Sequence, residues 1–383
     1  MDPKAGAQEQ INAIQAELLK LSHRIHAHPE LGFEEERACT WLAESLTDAG
    51  FSVETGGFDL PTSFVAKAGN GPLHLAICAE YDCLPGVGHA CGHNIIAAMA
   101  LGAGIAAARV ADEVGLTVKV IGTPAEEGGG GKIMLLDRGA FAGVHAAMMT
   151  HPAPSDSIMP KIIASSRFNV HYRGKAAHAA AYPELGINAA DAMTIAQTAI
   201  GLLRQHIRST DRIHGIITKG GDAPNIIPAH TSAQYSVRGR TVAALEELRP
   251  RVYRCFEAGA LATGAQLEIA DETKPYAEMR HDLDIAAIYQ RHAESLGRSF
   301  PDPANERTSG STDMGNISHA LPSIHPMIGI DSLPAVNHQP EFTAHCITAS
   351  ADQAVVDGSV AMAWTAIDIA TDNRLRQRLM AGD

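Results

Sequence analysis

Two acids, two cysteines and two histidines lie close together in the segment between Glu80 and Asn94, which is a dense set of reactive groups for a connecting loop. An apolar run over residues 73–79 predicts a buried strand before this segment, and a run of small apolar residues from Ile95 predicts a helix after it. Thiolates, imidazoles and carboxylates are the groups with which proteins bind zinc and similar cations. The segment is therefore predicted to bind metal.

Cys91 and His93 are the best candidate ligands within this segment. A single glycine separates them, so in a loop the thiolate and the imidazole can approach one metal position without backbone strain. The alternative is a free buried cysteine beside a histidine at the start of a helix, because free cysteine is commonly buried. The presence of further clusters of metal-binding residue types favours the metal site.

The pair Glu126-Glu127 precedes four glycines, and such a turn offers no helical salt-bridge partner. The functional interpretation gives the two carboxylates different roles. Glu127 binds a metal, and Glu126 takes a proton from the water that the metal activates. The alternative is a solvated acidic loop.

Two more histidines follow predicted strands. His151 comes at the end of the predicted strand 146–150 and directly before a proline, and His338 lies in a loop after the last predicted strand of the sheet. By itself, His151 would more often be a structural histidine with its hydrogen bonds satisfied, and His338 is equally compatible with a surface histidine. Open α/β sheets place their ligand sites beyond the carboxyl ends of the strands. This placement predicts that the clusters form one metal centre.

The composition limits the class of protein. The 383 residues exceed the usual size of one domain, which predicts two domains. A formal charge of -13 without a cluster of lysines or arginines argues against nucleic acid or an anionic membrane as a partner. Residues 1–10 lack the apolar core of a signal peptide, and the longest apolar run, 95–108, is too short to span a bilayer. The six cysteines show no disulfide-framework pattern, so a cytoplasmic location is expected.

The order of the predicted elements indicates an insertion in an α/β domain. Strands and helices alternate in residues 1–161 and again in residues 275–383, which predicts a mostly parallel sheet with helices on its faces. Residues 162–274 show the order β-α-β-β-α-β of a ferredoxin-like α+β unit. We therefore expect a catalytic domain made of the two outer ranges, an inserted domain between them, and a hinge that joins the two.

Two further expectations concern the end of the chain. Residues 324–330 are predicted to form one strand of the sheet. A helix is predicted over residues 351–369, and the charged tail from Asp372 is expected to fray.

Two polar turns of the inserted range contain other candidates. Residues 174–178 form a turn that begins with glycine and ends with His178, and a second turn carries Asn225. Contact with a substrate or an oxyanion is one interpretation, and ordinary turn chemistry is the other. Arg238 and Arg307 could pair with a substrate carboxylate, or they could form structural salt bridges.

Seven ordered motifs cover nearly the whole chain. They resemble those of the aminoacylase–carboxypeptidase G family of two-metal peptidases and amidohydrolases. Within it, they resemble the amidohydrolase branch of p-aminobenzoyl-glutamate hydrolase, indole-acetyl-amino-acid hydrolases and β-alanyl-lysine dipeptidase. The motifs are His28-Pro-Glu-Leu-Gly32, Glu80-Tyr-Asp-Cys-Leu-Pro85, His89-Ala-Cys-Gly-His-Asn94, Pro124-Ala-Glu-Glu-Gly128, Gly174-Lys-Ala-Ala-His178, Asn225-Ile-Ile-Pro228 and Ser311-Thr-Asp-Met-Gly315.

The resemblance implies a zinc-aminopeptidase-like catalytic domain that binds two divalent metal ions per subunit. It implies that Glu126 is the general base and that Asp82 orients a residue of the metal site without binding metal itself. Zinc suits the mixture of thiolate, imidazole and carboxylate ligands, and manganese or cobalt is possible. The implied ligands are Cys91, His93, Glu127, His151 and His338.

The resemblance also implies that the inserted domain is a dimerisation and lid domain of a homodimer. His178 is expected to reach the site of the partner subunit and to stabilise the developing oxyanion, and Asn225 is expected to contact the substrate. Two positions depart from the relatives. The wider family has histidine where this chain has Glu80, and many members of the branch have aspartate where this chain has Asn94. Neither residue is therefore included in the expected ligand set.

The expected function is hydrolysis of an amide bond in a small N-acyl amino acid or dipeptide-like substrate. A non-catalytic binding protein that keeps the fold is the alternative, and the presence of Glu126, of every expected ligand and of His178 argues against it. Redox chemistry of Cys91 with Cys83 is disfavoured, because no Cys-X-X-Cys pair is present.

Overall fold

A computed structural model describes residues 2–301 and 310–382 of the chain. The chain divides into two units, of which unit 1 comprises Met1–Ile162 with Met279–Asp383 and unit 2 comprises Ile163–Glu278. The order of the predicted elements in the sequence puts these boundaries after residues 161 and 274. Arg307 lies outside the described residues.

The first segment of unit 1 alternates helices and strands, as its changes of hydrophobic period predict. Its elements are α1 (Pro3–His26), α2 (Glu36–Asp48), β1 (Ser52–Thr55), β2 (Phe64–Ala68), β3 (Leu73–Ala79), α3 (His93–Ala108), α4 (Ala111–Val114), β4 (Leu116–Gly122), α5 (Gly131–Asp137), β5 (Ala146–Met148) and β6 (His151–Ala153).

Unit 2 has the β-α-β-β-α-β order and an antiparallel sheet. Its elements are β7 (Ala164–Arg173), α6 (Ala189–Leu203), β8 (Arg212–Lys219), β9 (His230–Gly239), α7 (Val242–Thr263) and β10 (Gln266–Asp271). The strand order is β10-β7-β9-β8, so β8 and β10 are the two edges. Aromatic side chains from both the sheet and α7, including Phe168, Tyr235 and Phe256, form the separate core of this unit.

The chain then returns to unit 1 and completes it. The remaining elements are α8 (Leu283–Ser295), α9 (Met314–Ala320), β11 (Ser323–Ile324), β12 (Met327–Gly329), α10 (Pro340–His345), α11 (Ala349–Thr371) and α12 (Asn373–Ala381).

The six-stranded sheet of unit 1 has the order β1-β2-β4-β3-β5-β11. The pairs β4-β3, β3-β5 and β5-β11 are parallel, and the pairs that involve β1 and β2 are antiparallel. The predicted α/β fold with a mostly parallel sheet is therefore confirmed. Because β4, β3 and β5 are neighbours that run in one direction, the loops that follow them lie at the same edge of the sheet.

Helix α3 is apolar and buried along nearly its whole length, so it forms the centre of the core of unit 1. It packs closely against α11 through small residues. A Cβ atom at Gly102 would lie 2.5 Å from Ser359 Oγ, and one at Gly358 would lie 2.2 Å from Met99 Sδ. By length and composition, α11 is the one helix among the described residues that could cross a membrane, and 78% of its most apolar window is buried.

Two local expectations are wrong. The predicted strand 324–330 is divided into β11 and β12, because Pro326 between them has no N–H group to continue a ladder. The tail from Asp372 does not fray but forms α12. The Asp372 side chain accepts a hydrogen bond from the Leu375 amide and so caps this helix, and Leu375 and Leu379 are buried.

Candidate metal centre

The predicted metal-binding residues of unit 1 come together at the carboxyl edge of the parallel strands. Cys91 and His93 follow β3, Glu127 follows β4, and His151 follows β5. His338 enters from the loop before α10, where its backbone amide donates to the Ala90 carbonyl at 2.8 Å. Five residues that are far apart in the sequence therefore meet at one place.

Gly92 brings two of these loops together. Its φ of 78° is in the left-handed region, and a Cβ atom there would lie only 2.5 Å from Pro152 Cγ. Glycine is therefore needed both for the backbone conformation and for the close approach. Cys91 and His93, on either side of Gly92, are therefore brought close to His151, the residue before Pro152.

The donor atoms of the five predicted ligands form two groups that share Cys91. In the first, Cys91 Sγ lies 3.5 Å from His151 Nε2, and His93 completes the group with all donor atoms within 4.8 Å of one another. The second group consists of Cys91, Glu127 and His338. Here His338 Nε2 lies 3.5 Å from Cys91 Sγ and 3.5 Å from Glu127 Oε1.

These distances fit metal ions. Two donor atoms bound to one tetrahedral zinc ion are about 3.5 Å apart, given the usual bond lengths of about 2.0–2.3 Å. His93 Nε2 and Glu127 Oε1 are also buried atoms that make no hydrogen bond among the described residues, although His93 Nε2 lies 3.4 Å from Glu80 Oε2 and Glu127 Oε1 lies near His338. Buried polar atoms without a hydrogen bond are rare in proteins unless a water molecule or an ion binds them. The donor set therefore fits two cations that share a thiolate.

The histidines are oriented for this role by their second ring nitrogens. His93 Nδ1 lies 2.8 Å from Asp82 Oδ1, and His151 Nδ1 lies 2.7 Å from the Pro152 carbonyl oxygen. Each contact leaves Nε2 to face the centre, which is the usual arrangement of metal-bound histidines. Burial lowers the pKa of His151 to about 4, so its imidazole is in the neutral form that binds metal.

Glu126 lies beside the two groups and is buried. Its carboxylate is within 4.8 Å of donor atoms of Glu80 and His93. Burial raises the pKa of Glu126 well above its usual value, and the negative charges of Glu80, Glu127 and Asp313 act in the same direction. A carboxylate with a raised pKa is a stronger base, which suits proton transfer near neutral pH.

Asp82 does not join either group of donor atoms. Its Oδ1 holds His93, and its Oδ2 accepts a hydrogen bond from the backbone amide of Glu127 at 2.9 Å. One carboxylate therefore fixes a residue of the first group and the backbone of a residue of the second.

Sequence reasoning missed Lys132 and Asp313. The Lys132 ammonium forms ion pairs with Glu80 and, at 2.8 Å, with Asp313 Oδ1, and all three side chains are fully buried. Asp313 Oδ2 also accepts a hydrogen bond from the Lys132 amide at 2.9 Å. The ammonium ion neutralises Glu80, which explains how a carboxylate is accommodated there. Glu80 and Asp313 lay in recognised motifs, but nothing distinguished Lys132 from a surface lysine after a glycine run.

Asn94 has a structural role. Its side-chain amide donates to Ser22 Oγ at 2.9 Å and to the Cys346 carbonyl at 3.1 Å, so it links α3 to α1 and to the end of α10. Cys83 is buried too, and burial raises the pKa of its thiol to about 11. A thiol of this kind is a poor redox group.

His178 and Asn225 belong to unit 2, where neighbouring turns bring them together. The Ala179 amide donates to the Asn225 carbonyl at 3.0 Å, and His178 forms a β-bridge with Ile226. Both residues are exposed on this unit. In the same unit, Arg238 Nε lies 3.4 Å from His214 Nε2.

Two groups of metal-binding donor atoms that share Cys91, with the buried carboxylate of Glu126 beside them, provide what a metal-dependent hydrolase needs, which is bound metal and a base for the attacking water. The sequence profile described as Peptidase family M20/M25/M40 matches residues 76–353. The chain belongs to this family.

Individual relatives agree with this assignment. The chain is 38% identical to the Xaa-Arg dipeptidase of Mus musculus, over 96% of this chain and 88% of that protein. It is 34% identical to one of the p-aminobenzoyl-glutamate hydrolase subunits of Escherichia coli, over 65% of this chain and 56% of that protein. A dinuclear metal-binding peptidase from Bacillus subtilis has a similar fold, with a TM-score of 0.71, 21% identity, and coverage of 94% and 99% of the two chains. The protein is thus a metal-dependent hydrolase of amide bonds.

Proposed function

We propose that this protein hydrolyses the amide bond of dipeptides or N-acyl amino acids with two divalent cations bound per subunit. The observation that carries the proposal is the position of Cys91 in both groups of donor atoms. One cation would be held by Cys91, His93 and His151, and the other by Cys91, Glu127 and His338. Zinc is favoured by the thiolate, and manganese or cobalt is compatible with the imidazoles and the carboxylate.

Glu126 is the proton-transferring group of the proposed reaction. Bound cations supply polarisation of the amide carbonyl and lower the pKa of the attacking water. Glu126 accepts a proton from that water and then delivers it to the leaving amine, without which the amine is a poor leaving group. Its burial keeps the proton on this carboxyl group between the two steps.

Unit 2 is proposed to contribute the substrate contacts. His178, acting in a dimer from the partner subunit, stabilises the developing oxyanion, and Asn225 binds the substrate. Arg238 is the candidate for the substrate carboxylate, because its guanidinium is partly buried and lies close enough to Arg167 to feel the positive charge of that residue. An anion placed between two arginines would relieve their repulsion.

The homodimer is proposed to form through unit 2. Strand β8 is an edge of its sheet, and Ile216 and Ile217 on this strand are 63% and 47% exposed. Edge strands with exposed apolar side chains readily pair with another chain.

The protein is proposed to be cytoplasmic. Its six cysteines are free and buried, which is typical of proteins in a reducing compartment.

The name of the mouse relative suggests the first substrates. Dipeptides with a carboxyl-terminal arginine should be tested beside p-aminobenzoyl-glutamate and other acyl-glutamates, each with added zinc or manganese. This panel distinguishes a dipeptidase from an acyl-glutamate hydrolase.

The mechanism is tested with Glu126→Gln on the best substrate. We expect kcat to fall about 100- to 10,000-fold, because proton transfer is lost, while the metal content measured by mass spectrometry stays unchanged. The exposed Glu36→Gln is the matched control and should behave as wild type. Turnover by Glu126→Gln at the wild-type rate with metal bound would refute the assignment.

A further inference from the structure

The motif His28-Pro-Glu-Leu-Gly32 and the glutamates after it contribute no donor atom to the metal centre. They nevertheless contact the loop that carries Glu126. The backbone amide of Ala125, the residue before Glu126, donates a hydrogen bond to Glu35 Oε1 at 2.7 Å. Glu35 is fully buried.

Ala125 has an unusual backbone conformation. Its φ is 55°, in the left-handed region that side chains other than glycine rarely adopt. Such a conformation persists only when the surroundings impose it, and it is concentrated at functional sites. The hydrogen bond to Glu35 is one contact that imposes it, and this turn sets the direction in which Glu126 leaves the end of β4.

The packing around Ala125 allows little movement. A Cβ atom at Gly32 would lie 2.9 Å from Ala125 Cβ, and one at Gly129 would lie 2.5 Å from the same atom. The loop that carries Gly32 is itself attached to the other side of the centre, since the Cys83 amide donates to the Glu30 carbonyl at 2.9 Å. The segment from Glu30 to Glu35 therefore connects the loop after β3 to the loop after β4.

The residue on the other side of Glu126 is held in the same way. The Glu127 amide donates to Asp82 Oδ2, as described above. Two buried carboxylates, Glu35 and Asp82, thus hold the amides immediately before and after Glu126. The orientation of His93 already explains why Asp82 is there, but it does not explain Glu35.

We propose that Glu35 is a positioning residue, which holds Ala125 in its left-handed turn and so aims the Glu126 carboxylate at the reacting water. This proposal rests on the proposed function. It requires an acceptor oxygen at position 35 and no negative charge. It therefore makes opposite predictions for two substitutions of the same residue.

Glu35→Ala removes the acceptor, and Glu35→Gln keeps it. We expect kcat to fall about tenfold in Glu35→Ala, equivalent to about 1.4 kcal/mol, with KM and metal content unchanged. Glu35→Gln should keep kcat within about threefold of wild type. Glu34→Ala, at the exposed neighbouring position, is the control.

A second variant reaches the same turn without touching Glu35. Gly32→Ala places a methyl group against Ala125 and should lower kcat by a similar factor with metal retained. Gly201→Ala, where an added Cβ meets nothing within 4 Å, is its control. The proposal therefore remains testable if Glu35→Ala fails to fold.

A structural readout separates positioning from a general loss of stability. Hydrogen exchange of the peptide that contains residues 124–131 should show one faster amide in Glu35→Ala but not in Glu35→Gln, even in protein stripped of metal. Equal kcat losses in Glu35→Ala and Glu35→Gln would overturn the proposal, and so would full activity in Gly32→Ala. Inactivity of the wild type on every amide substrate would instead refute the proposed function.

Discussion

Replacing Lys132 with methionine tests whether its ammonium neutralises the carboxylates next to the metal centre. Lys132 is fully buried between Glu80 and Asp313. Methionine has a similar volume and no charge, so Lys132→Met leaves two buried carboxylates without their counter-charge.

The expected cost follows from this geometry. Removing one partner of a buried ion pair destabilises a protein by about 3–5 kcal/mol, because the remaining charge is left buried and unpaired. Two carboxylates share Lys132, so we expect a loss toward the upper end of this range. The triple variant Lys132→Met, Glu80→Gln, Asp313→Asn has no buried charge there, and we expect it to be within about 2 kcal/mol of wild type.

Urea unfolding followed by tryptophan fluorescence measures this loss. Trp41 and Trp364 are the two tryptophans, and both belong to unit 1, so the signal reports on that unit alone. The measurement should be made with a chelator present, because bound metal would add its own stabilisation. The control variant is Lys4→Met, which removes only a surface ion pair with Asp368. It should lower the free energy of unfolding by less than about 1 kcal/mol.

A free energy of unfolding for Lys132→Met within about 1 kcal/mol of the Lys4→Met value would refute the reasoning. It would mean that Glu80 and Asp313 take up protons or water at little cost. A triple variant that is as unstable as Lys132→Met would refute it as well, because packing and not charge would then be the cause.

Three other predictions concern the metal centre, the acid stability and the dimer. Asp82→Asn should weaken zinc binding about 10- to 100-fold in a chelator competition, and unchanged affinity would contradict the role of Asp82 in orienting His93. Burial lowers the pKa of His281 from 6.5 to about 4, so below pH 6.5 the unfolded chain binds a proton at this residue that the folded chain does not. His281 should therefore contribute about 2 kcal/mol of the fall in stability between pH 8 and pH 5, and His281→Gln should lack this part of the fall. The same fall in urea unfolding of His281→Gln would exclude His281 as its source. If the proposed dimer forms, Ile216→Glu on β8 should convert it into a monomer in light scattering, whereas Leu261→Glu, at an exposed position on α7, should not. A mass for Ile216→Glu equal to that of wild type would refute the proposed interface.

The elements near the centre could be predicted from the sequence because their signals are local. The apolar run 73–79 is β3, and the small-residue run from Ile95 lies within α3. Two predictions, the strand 324–330 and the frayed tail from Asp372, were wrong, and the causes were local as well. Pro326 interrupts a run that hydrophobicity alone made continuous, and the cap at Asp372 with buried Leu375 and Leu379 makes a helix from a tail that looked too polar. In both cases a single residue or a few contacts outweighed the average character of the segment.

The sequence by itself determined which groups were available for chemistry. The spacing of Cys91 and His93 and the pair Glu126-Glu127 are visible without a structure, because residues that are neighbours in the chain remain neighbours in the fold. The roles of Glu126, Asp82 and the five ligands stay predictions until the variants are measured.

Only the tertiary structure decided which groups meet. Cys91 belongs to two groups of donor atoms because β4, β3 and β5 are adjacent and parallel, an order that no local pattern reveals. Glu35 holds Ala125 across 90 residues of sequence, and the Lys132 side chain meets Asp313 across 181. The energy of such buried contacts depends on burial and on exact partners, and both exist only once the chain has folded.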